Sequence, residues 1–180
     1  MSNIFVPWPK TQRWFEKNTC TITEKLDGTN ACVAIDEAGN IWAQSRNRII
    51  TPEDDNHGFA KWVQDNKEDL LRMGHGHHFG EWVGPGIQRG YSDKVKRFFL
   101  FNSKRWLDEA SRTPTCCSVV PVLATLDGTL GEIEEAVQYA LRKLENEGSV
   151  AFPNFMRPEG VCVYHHRLRQ VFKAYCNGEG

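Results

Sequence analysis

The run Thr23–Asn30, TEKLDGTN, sets Lys25 between the carboxylates of Glu24 and Asp27 and follows it with Gly28, Thr29 and Asn30. A lysine amine is a nucleophile only when neutral, which calls for partial burial or neighbouring cations. By itself the octet also reads as an exposed strand with a Glu-Lys pair running into an ordinary turn. Three more polar residues stand where bulky apolar neighbours mark a strand: Glu81 in FGEW, Glu159 in PEGV and Lys173 in VFKAY. Alternation turns every second strand side chain outward, so solvation accounts for any one of them. Four such residues in this order are a stronger signal than any one alone.

The elements that must position them are mostly short strands. CTITEKL and ACVAID read as strands, and the second is followed by EAGN and IWAQS, the form of a β-hairpin turning at Gly39-Asn40. A strand, a loop and a hairpin therefore present Lys25. Thr51, Pro52, Glu53 and Asp54 have the form of a helix start, leading into FAKWVQDNKEDLLRM. FGEWVG, FFLFN, CSVVPVLATL, GVCVY and QVFKAY are further strands. Thr129 with Glu132 makes a capping box for a second helix, whose apolar face is Ile133, Val137, Ala140, Leu141 and Leu144 and whose end is Gly148. Many short strands with two helices predict an α+β class.

Composition narrows the function classes. The 180 residues suit one domain with a real core, and no compositional break divides them. Lys plus Arg number 22 against 23 acids, so total charge does not point to nucleic acid. Basic residues nevertheless gather in SRNR (Ser45–Arg48), KVKR (Lys94–Arg97) and HHRLRQVFK (His165–Lys173), which allows a locally basic face. The six cysteines, at 20, 32, 116, 117, 162 and 176, contain no CxxC and read as reduced thiols of a cytoplasmic protein. The start, MSNIFVPWPKTQRW, has neither a basic segment with a long apolar run nor a membrane-spanning stretch, so no membrane is expected.

The order Glu24-Lys25 with Gly28-Thr29-Asn30, then Arg46, then FGEWVGPGIQ (Phe79–Gln88), FFLFN, Glu159-Gly160 and Phe172-Lys173 resembles the covalent nucleotidyltransferases. Within them it is most similar to RNA ligases of the phage RNA ligase 2 type. The resemblance runs from about Thr23 to Tyr175, and EKxxGTN followed by FGExxGPGIQ is its specific part. It implies an adenylating, ATP-grasp-like ligase domain of antiparallel sheets with flanking helices. It also implies an ATP-dependent ligase acting on RNA ends with a 5'-phosphate and a 3'-OH, in a bacterial or phage-infected cell. Lys25 would attack the α-phosphate of ATP and carry AMP as a phosphoramidate. Arg46 and Lys173 would hold phosphate oxygens and activate the amine. Glu24 would contact the base if the chain bends, Asn30 would lie near sugar and phosphate, Phe101 would stack on adenine, and Glu81 would lie near the ribose. Glu159 would help place Mg2+, or Mn2+, held largely through water and phosphate.

Two features depart from that family. Its last motif commonly carries lysines spaced K-x-K, whereas here the run is Lys173-Ala174-Tyr175. The chain also ends at Gly180, so a single domain over 1–180, acting as a monomer without a separate C-terminal domain, is expected. Other readings of the same pattern are a nucleotide- or RNA-binding module without turnover, a DNA ligase, or a GTP-using capping enzyme. The histidines at 57, 75, 77, 78, 165 and 166 suggest a zinc site, against which stands the absence of a cysteine or carboxylate at ligand spacing.

Overall fold

The computed structural model describes residues 17–176; the N-terminal stretch read above for targeting signals lies outside them. In chain order the elements are β1 (Asn18–Lys25), β2 (Thr29–Ile35), β3 (Ile41–Ser45), β4 (Ile49–Ile50), α1 (Phe59–Asp65), α2 (Lys67–Leu70), β5 (Gly76–Val83) and β6 (Arg97–Leu100). There follow α3 (Ser103–Asp108), β7 (Cys117–Val119), β8 (Val122–Gly128), α4 (Leu130–Glu147), β9 (Gly160–His165) and β10 (Gln170–Tyr175). They form two sheets: a four-stranded one in the order β10-β9-β1-β8, and a six-stranded one in the order β4-β3-β2-β5-β6-β7. All pairings are antiparallel except β6 with β7. This is the α+β architecture of antiparallel sheets that the strand pattern predicts, with that one parallel edge.

Each sheet buries one face under helices. On the six-stranded sheet, Val33, Ile35, Trp82, Phe98 and Leu100 pack with Phe59 and Val63 of α1, Leu70 of α2 and Trp106 of α3. On the four-stranded sheet, Cys20, Ile22, Val161 and Val163 meet Ile133, Ala140, Leu141 and Leu144 of α4. Each fully buried large side chain of these sets contributes roughly 1.5–3 kcal/mol. A smaller cluster, Leu26, Val83, Tyr91, Phe99, Val120, Phe152 and Phe155, joins the two bodies beside the short link from β1 to β2. The sheet faces turned away from the helices carry Lys25 and Lys173 on one sheet and Asn30 and Glu81 on the other.

The α4 reading holds in detail. Thr129 and Glu132 form the reciprocal capping box, and Gly148 ends the helix at φ 85°. The first helix differs, because it starts at Phe59 instead of at Thr51. Thr51 and Asp54 form a bridged turn, and Arg48 grips Asp54 with both of its terminal nitrogens. The capping acceptor is Asp55, whose carboxylate takes the Ala60 and Lys61 amides at 2.7 and 3.0 Å. CSVVPVLATL likewise divides between the two sheets as β7 and β8. Pro121 lies between them, and its carbonyl accepts the Glu24 amide at 3.0 Å.

Candidate active site

Lys25 is the last residue of β1. Along that strand Ile22 and Glu24 are buried while Thr23 and Lys25 are only partly so, which puts the amine on the face opposite α4. Cross-strand partners extend the same face: Thr23 pairs with Cys162, which pairs in turn with Lys173, and Gly160 stands between Lys25 and Tyr175. Lys25 Nζ contacts Glu159 Oε1 at 2.6 Å, and the two side chains are 21% and 11% exposed. The other oxygen, Glu159 Oε2, is buried and has no hydrogen-bond partner. Lys25 Nζ and Lys173 Nζ also lie 5.6 and 5.2 Å from the centroid of the Tyr175 ring.

Facing this row, the six-stranded sheet supplies Asn30 and Glu81 as direct cross-strand partners on β2 and β5. Asn30 Nδ2 donates to Glu81 Oε2 at 3.0 Å, and the Gly28 amide donates to Oε1 at 3.1 Å. Only glycine fits at position 28, since a Cβ there would stand 2.4 Å from the Trp82 carbonyl oxygen. Burial pushes the Glu81 carboxyl up to about 7, against the opposing pull of the Gly28 amide, the Lys25 charge and the Asn30 amide, and Glu159 raises it further. The glutamate thus feels both Lys25 and Glu159 from the opposite sheet. The Cys162 thiol, pushed up by its burial, senses Lys25, Glu159, Glu81 and Lys173 together. Residues more than a hundred positions apart in the chain share one cleft.

Two expectations come out differently, those for Glu24 and Arg46. Glu24 is 2% exposed and is turned away from the cleft. Its Oε1 accepts from Ser149 Oγ at 2.5 Å and its Oε2 from the Val150 and Ala151 amides at 2.9 Å each. Strand alternation, which opposes it to Lys25, and these three donors make it an anchor for the loop after α4 in place of a nucleoside contact. Arg46 sits exposed in the turn between β3 and β4 and is not brought into contact with Lys25. The partner that contacts the amine is instead the Glu159 carboxylate. Phe101 lies just past β6, 42% exposed, with its amide donating to the Phe79 carbonyl at 3.0 Å. The core packing of that segment falls to Phe98, Phe99 and Leu100, which leaves the Phe101 ring open to a ligand.

The donor set suits a divalent cation held mainly through water and phosphate, because the partnerless Glu159 Oε2 is a single hard oxygen awaiting a ligand. Among the described residues no group of three His, Cys, Asp or Glu side chains could form an all-protein cage. The histidines are dispersed in keeping with that. His78 Nε2 bonds the Gly74 carbonyl, His165 Nε2 bonds Asn18, and His166 Nε2 bonds Thr21. Sequence reasoning did not single out Tyr175 as a site residue, nor Asp27, whose carboxylate pairs with Arg89 at 2.9 Å. Position within the K-x-K comparison was the signal for Tyr175.

Comparison with known proteins places these observations in a family. The RNA ligase family model matches residues 18–175. No curated protein matches the chain. Among solved structures, a Naegleria gruberi RNA ligase mutant with ATP and Mn is 20% identical, with TM-score 0.65, over 89% of this chain and 49% of that one. The Naegleria gruberi RNA ligase with PPi is 22% identical, with TM-score 0.63, over 89% and 50%. An archaeal ATP-dependent RNA ligase is 16% identical, with TM-score 0.65, over 88% and 43%. The chain thus spans about half the length of these solved ligases and shares their fold. With its motifs converging on one cleft and the family model matching nearly all of its length, the chain belongs to the RNA ligase family.

Proposed function

We propose that the protein is an ATP-dependent RNA ligase working through a lysyl-AMP intermediate on Lys25, and that it seals RNA ends bearing a 5'-phosphate and a 3'-OH. The observation that carries this reading is the Lys25 amine, in contact with Glu159 at 2.6 Å and facing the buried Glu81 and its hydrogen-bonded partner Asn30 on the opposite sheet. In the first step Nζ attacks the α-phosphorus of ATP. A nitrogen–phosphorus bond forms, the bond to the bridging oxygen breaks, and pyrophosphate leaves with that electron pair. Nζ must also shed its protons, and Glu159 Oε1 is the acceptor in contact with it. Lys173, exposed on the same face, is placed to hold phosphate oxygens as charge builds on them. Glu81 and Asn30 offer a carboxyl and an amide to the sugar, and the open Phe101 ring offers a stacking surface to the base. Magnesium or manganese near Glu159 Oε2 would supply charge neutralisation at the phosphates when bound. AMP then passes to the RNA 5'-phosphate, freeing the Lys25 amine, and the 3'-OH displaces AMP as the phosphodiester forms.

Incubation with α-labelled ATP or GTP and a divalent cation, followed by denaturing electrophoresis, tests the first step. Label should remain on the wild-type chain with ATP and vanish completely with Lys25→Ala. Preferential labelling by GTP would identify a capping chemistry, and a wild-type chain that binds ATP without taking label would identify a binding module. A labelled enzyme that seals nicked DNA in preference to RNA would move the acceptor class.

A further inference from the structure

In the four-stranded sheet Lys25 and Tyr175 are both in register with the same residue of β9, Gly160. Adjacent strands lie about 4.8 Å apart, so a side chain at 160 would stand directly between them. None can: a Cβ built there would fall 2.1 Å from the Ala174 carbonyl oxygen, and the backbone sits at φ +154°. The gap left by the glycine lets the Lys25 side chain cross the intervening strand, bringing Nζ within 5.6 Å of the Tyr175 ring centroid. Lys173, two residues before Tyr175 and therefore on the same face, brings its own Nζ to 5.2 Å. Both distances fall within the roughly 6 Å over which an aromatic face attracts an ammonium group.

We propose that Tyr175 is a positioning residue that seats the Lys25 and Lys173 ammonium groups on one ring, in the place where a K-x-K motif would put a third cation. The proposal rests on the reading of Lys25 as the nucleophile. Two like charges on one face repel, and the negative face of the ring offsets that repulsion without neutralising either amine. A lysine at 175 would add to the repulsion. The ring also gives Nζ a second point of attachment besides the Glu159 carboxylate, so an amine whose carboxylate partner turns to another ligand stays on the cleft side of the sheet. The Tyr175 hydroxyl also raises the pKa of the Lys173 ammonium, which favours the charged form suited to phosphate.

Ring currents give a readout that needs no nucleotide. In the free protein the ε-methylene protons of Lys25 and Lys173, assigned by their loss in Lys25→Arg and Lys173→Arg, should lie upfield of those of exposed lysines. They should stay upfield in Tyr175→Phe and return to the exposed position in Tyr175→Leu, with Tyr175→Gln as a second ring-free variant if leucine disturbs the strand. In single-turnover adenylation at saturating ATP, the ring-free variants should lose about tenfold or more in rate while Tyr175→Phe stays within about threefold of wild type. Lysine resonances that ignore the loss of the ring, ring-free variants that adenylate at the wild-type rate, or a Tyr175→Lys protein as fast as wild type would each overturn the proposal. A wild-type chain that takes no label from ATP would instead overturn the ligase reading, and the resonance experiment would still decide whether the seat exists.

Discussion

Burial keeps a proton on Glu81, and the sign of its effect on stability follows. The folded carboxyl titrates at about 7 against an ordinary 4.5. Between those values the folded protein retains a proton that the unfolded chain has released. The stabilisation from this group is therefore fully present below about pH 4.5 and lost as pH rises to about 7, by on the order of 3 kcal/mol. Urea unfolding at pH 5 and pH 8 should show this decline in wild type and a flatter dependence in Glu81→Gln, which has no proton to lose; the same decline in the variant would assign it to another group. At Phe101 the 42% exposure changes what truncation should cost. Phe101→Ala should lower stability by no more than about 1 kcal/mol, well short of the roughly 3–5 kcal/mol of a buried ring, while raising the ATP concentration needed for adenylation. A large drop in melting temperature with unchanged ATP dependence would return the ring to the core. At this scale the residue types at the site were legible, because Lys25, Glu81, Glu159 and Lys173 are out of place among apolar neighbours. The destination of Glu24 was not, since its partner Ser149 is 125 positions away and no local pattern marks such a pair.

The strand that carries Lys25 is held on three sides: by β8, by β9, and by the Glu24 carboxylate that gathers Ser149, Val150 and Ala151. Glu24→Ala would strand those donors without an acceptor and should cost about 2–4 kcal/mol, with amide exchange rising most at Val150 and Ala151. Unchanged protection at those two amides would show that the carboxylate does not hold the loop. Legibility at this scale follows how local the determinants are. The α4 boundaries were readable because the capping box and terminal glycine lie within the helix's own sequence. The Thr51–Asp54 segment carries equally good start signals, yet Arg48 claims Asp54 and turns the chain before the helix begins. The division of CSVVPVLATL was hidden for a related reason: a strand's sheet is chosen by partners distant in sequence, and Pro121, which cannot donate to a ladder, is where the chain changes sheets.

For the whole molecule, the basic residues named from the sequence stand at different places. Lys96 Nζ donates to the His57 carbonyl and Arg97 pairs with Asp93, so two of the three basic residues of KVKR are committed within the protein. Arg167 and Arg169 lie in the turn between β9 and β10, while Lys25 pairs with Gly160 at the far end of β9. Five residues of strand separate the two ends, about 16 Å at a strand's rise. An RNA strand gripped at that turn would have to run the length of the sheet to reach the amine, and its phosphate contacts would weaken steeply with salt. Raising salt should therefore suppress end joining far more than adenylation of Lys25, and Arg167→Ala with Arg169→Ala should reproduce that difference at low salt. Equal salt sensitivity of the two steps, or normal sealing by the double variant, would place the RNA elsewhere. A last consequence belongs to the two helix-covered sheets, which meet through one small cluster and are joined by two short links, residues 26–28 and 120–121. A nucleotide bridging Lys25 and Lys173 on one sheet to Glu81 and Asn30 on the other would bind only the arrangement in which the faces oppose each other. By mass action it would stabilise that arrangement, by about 2.7 kcal/mol at a hundredfold excess over Kd. On the proposed ligase reading the nucleotide would serve as a removable structural member, and each discharge of AMP would withdraw a clasp from between the two sheets, making product release and mechanical loosening a single event.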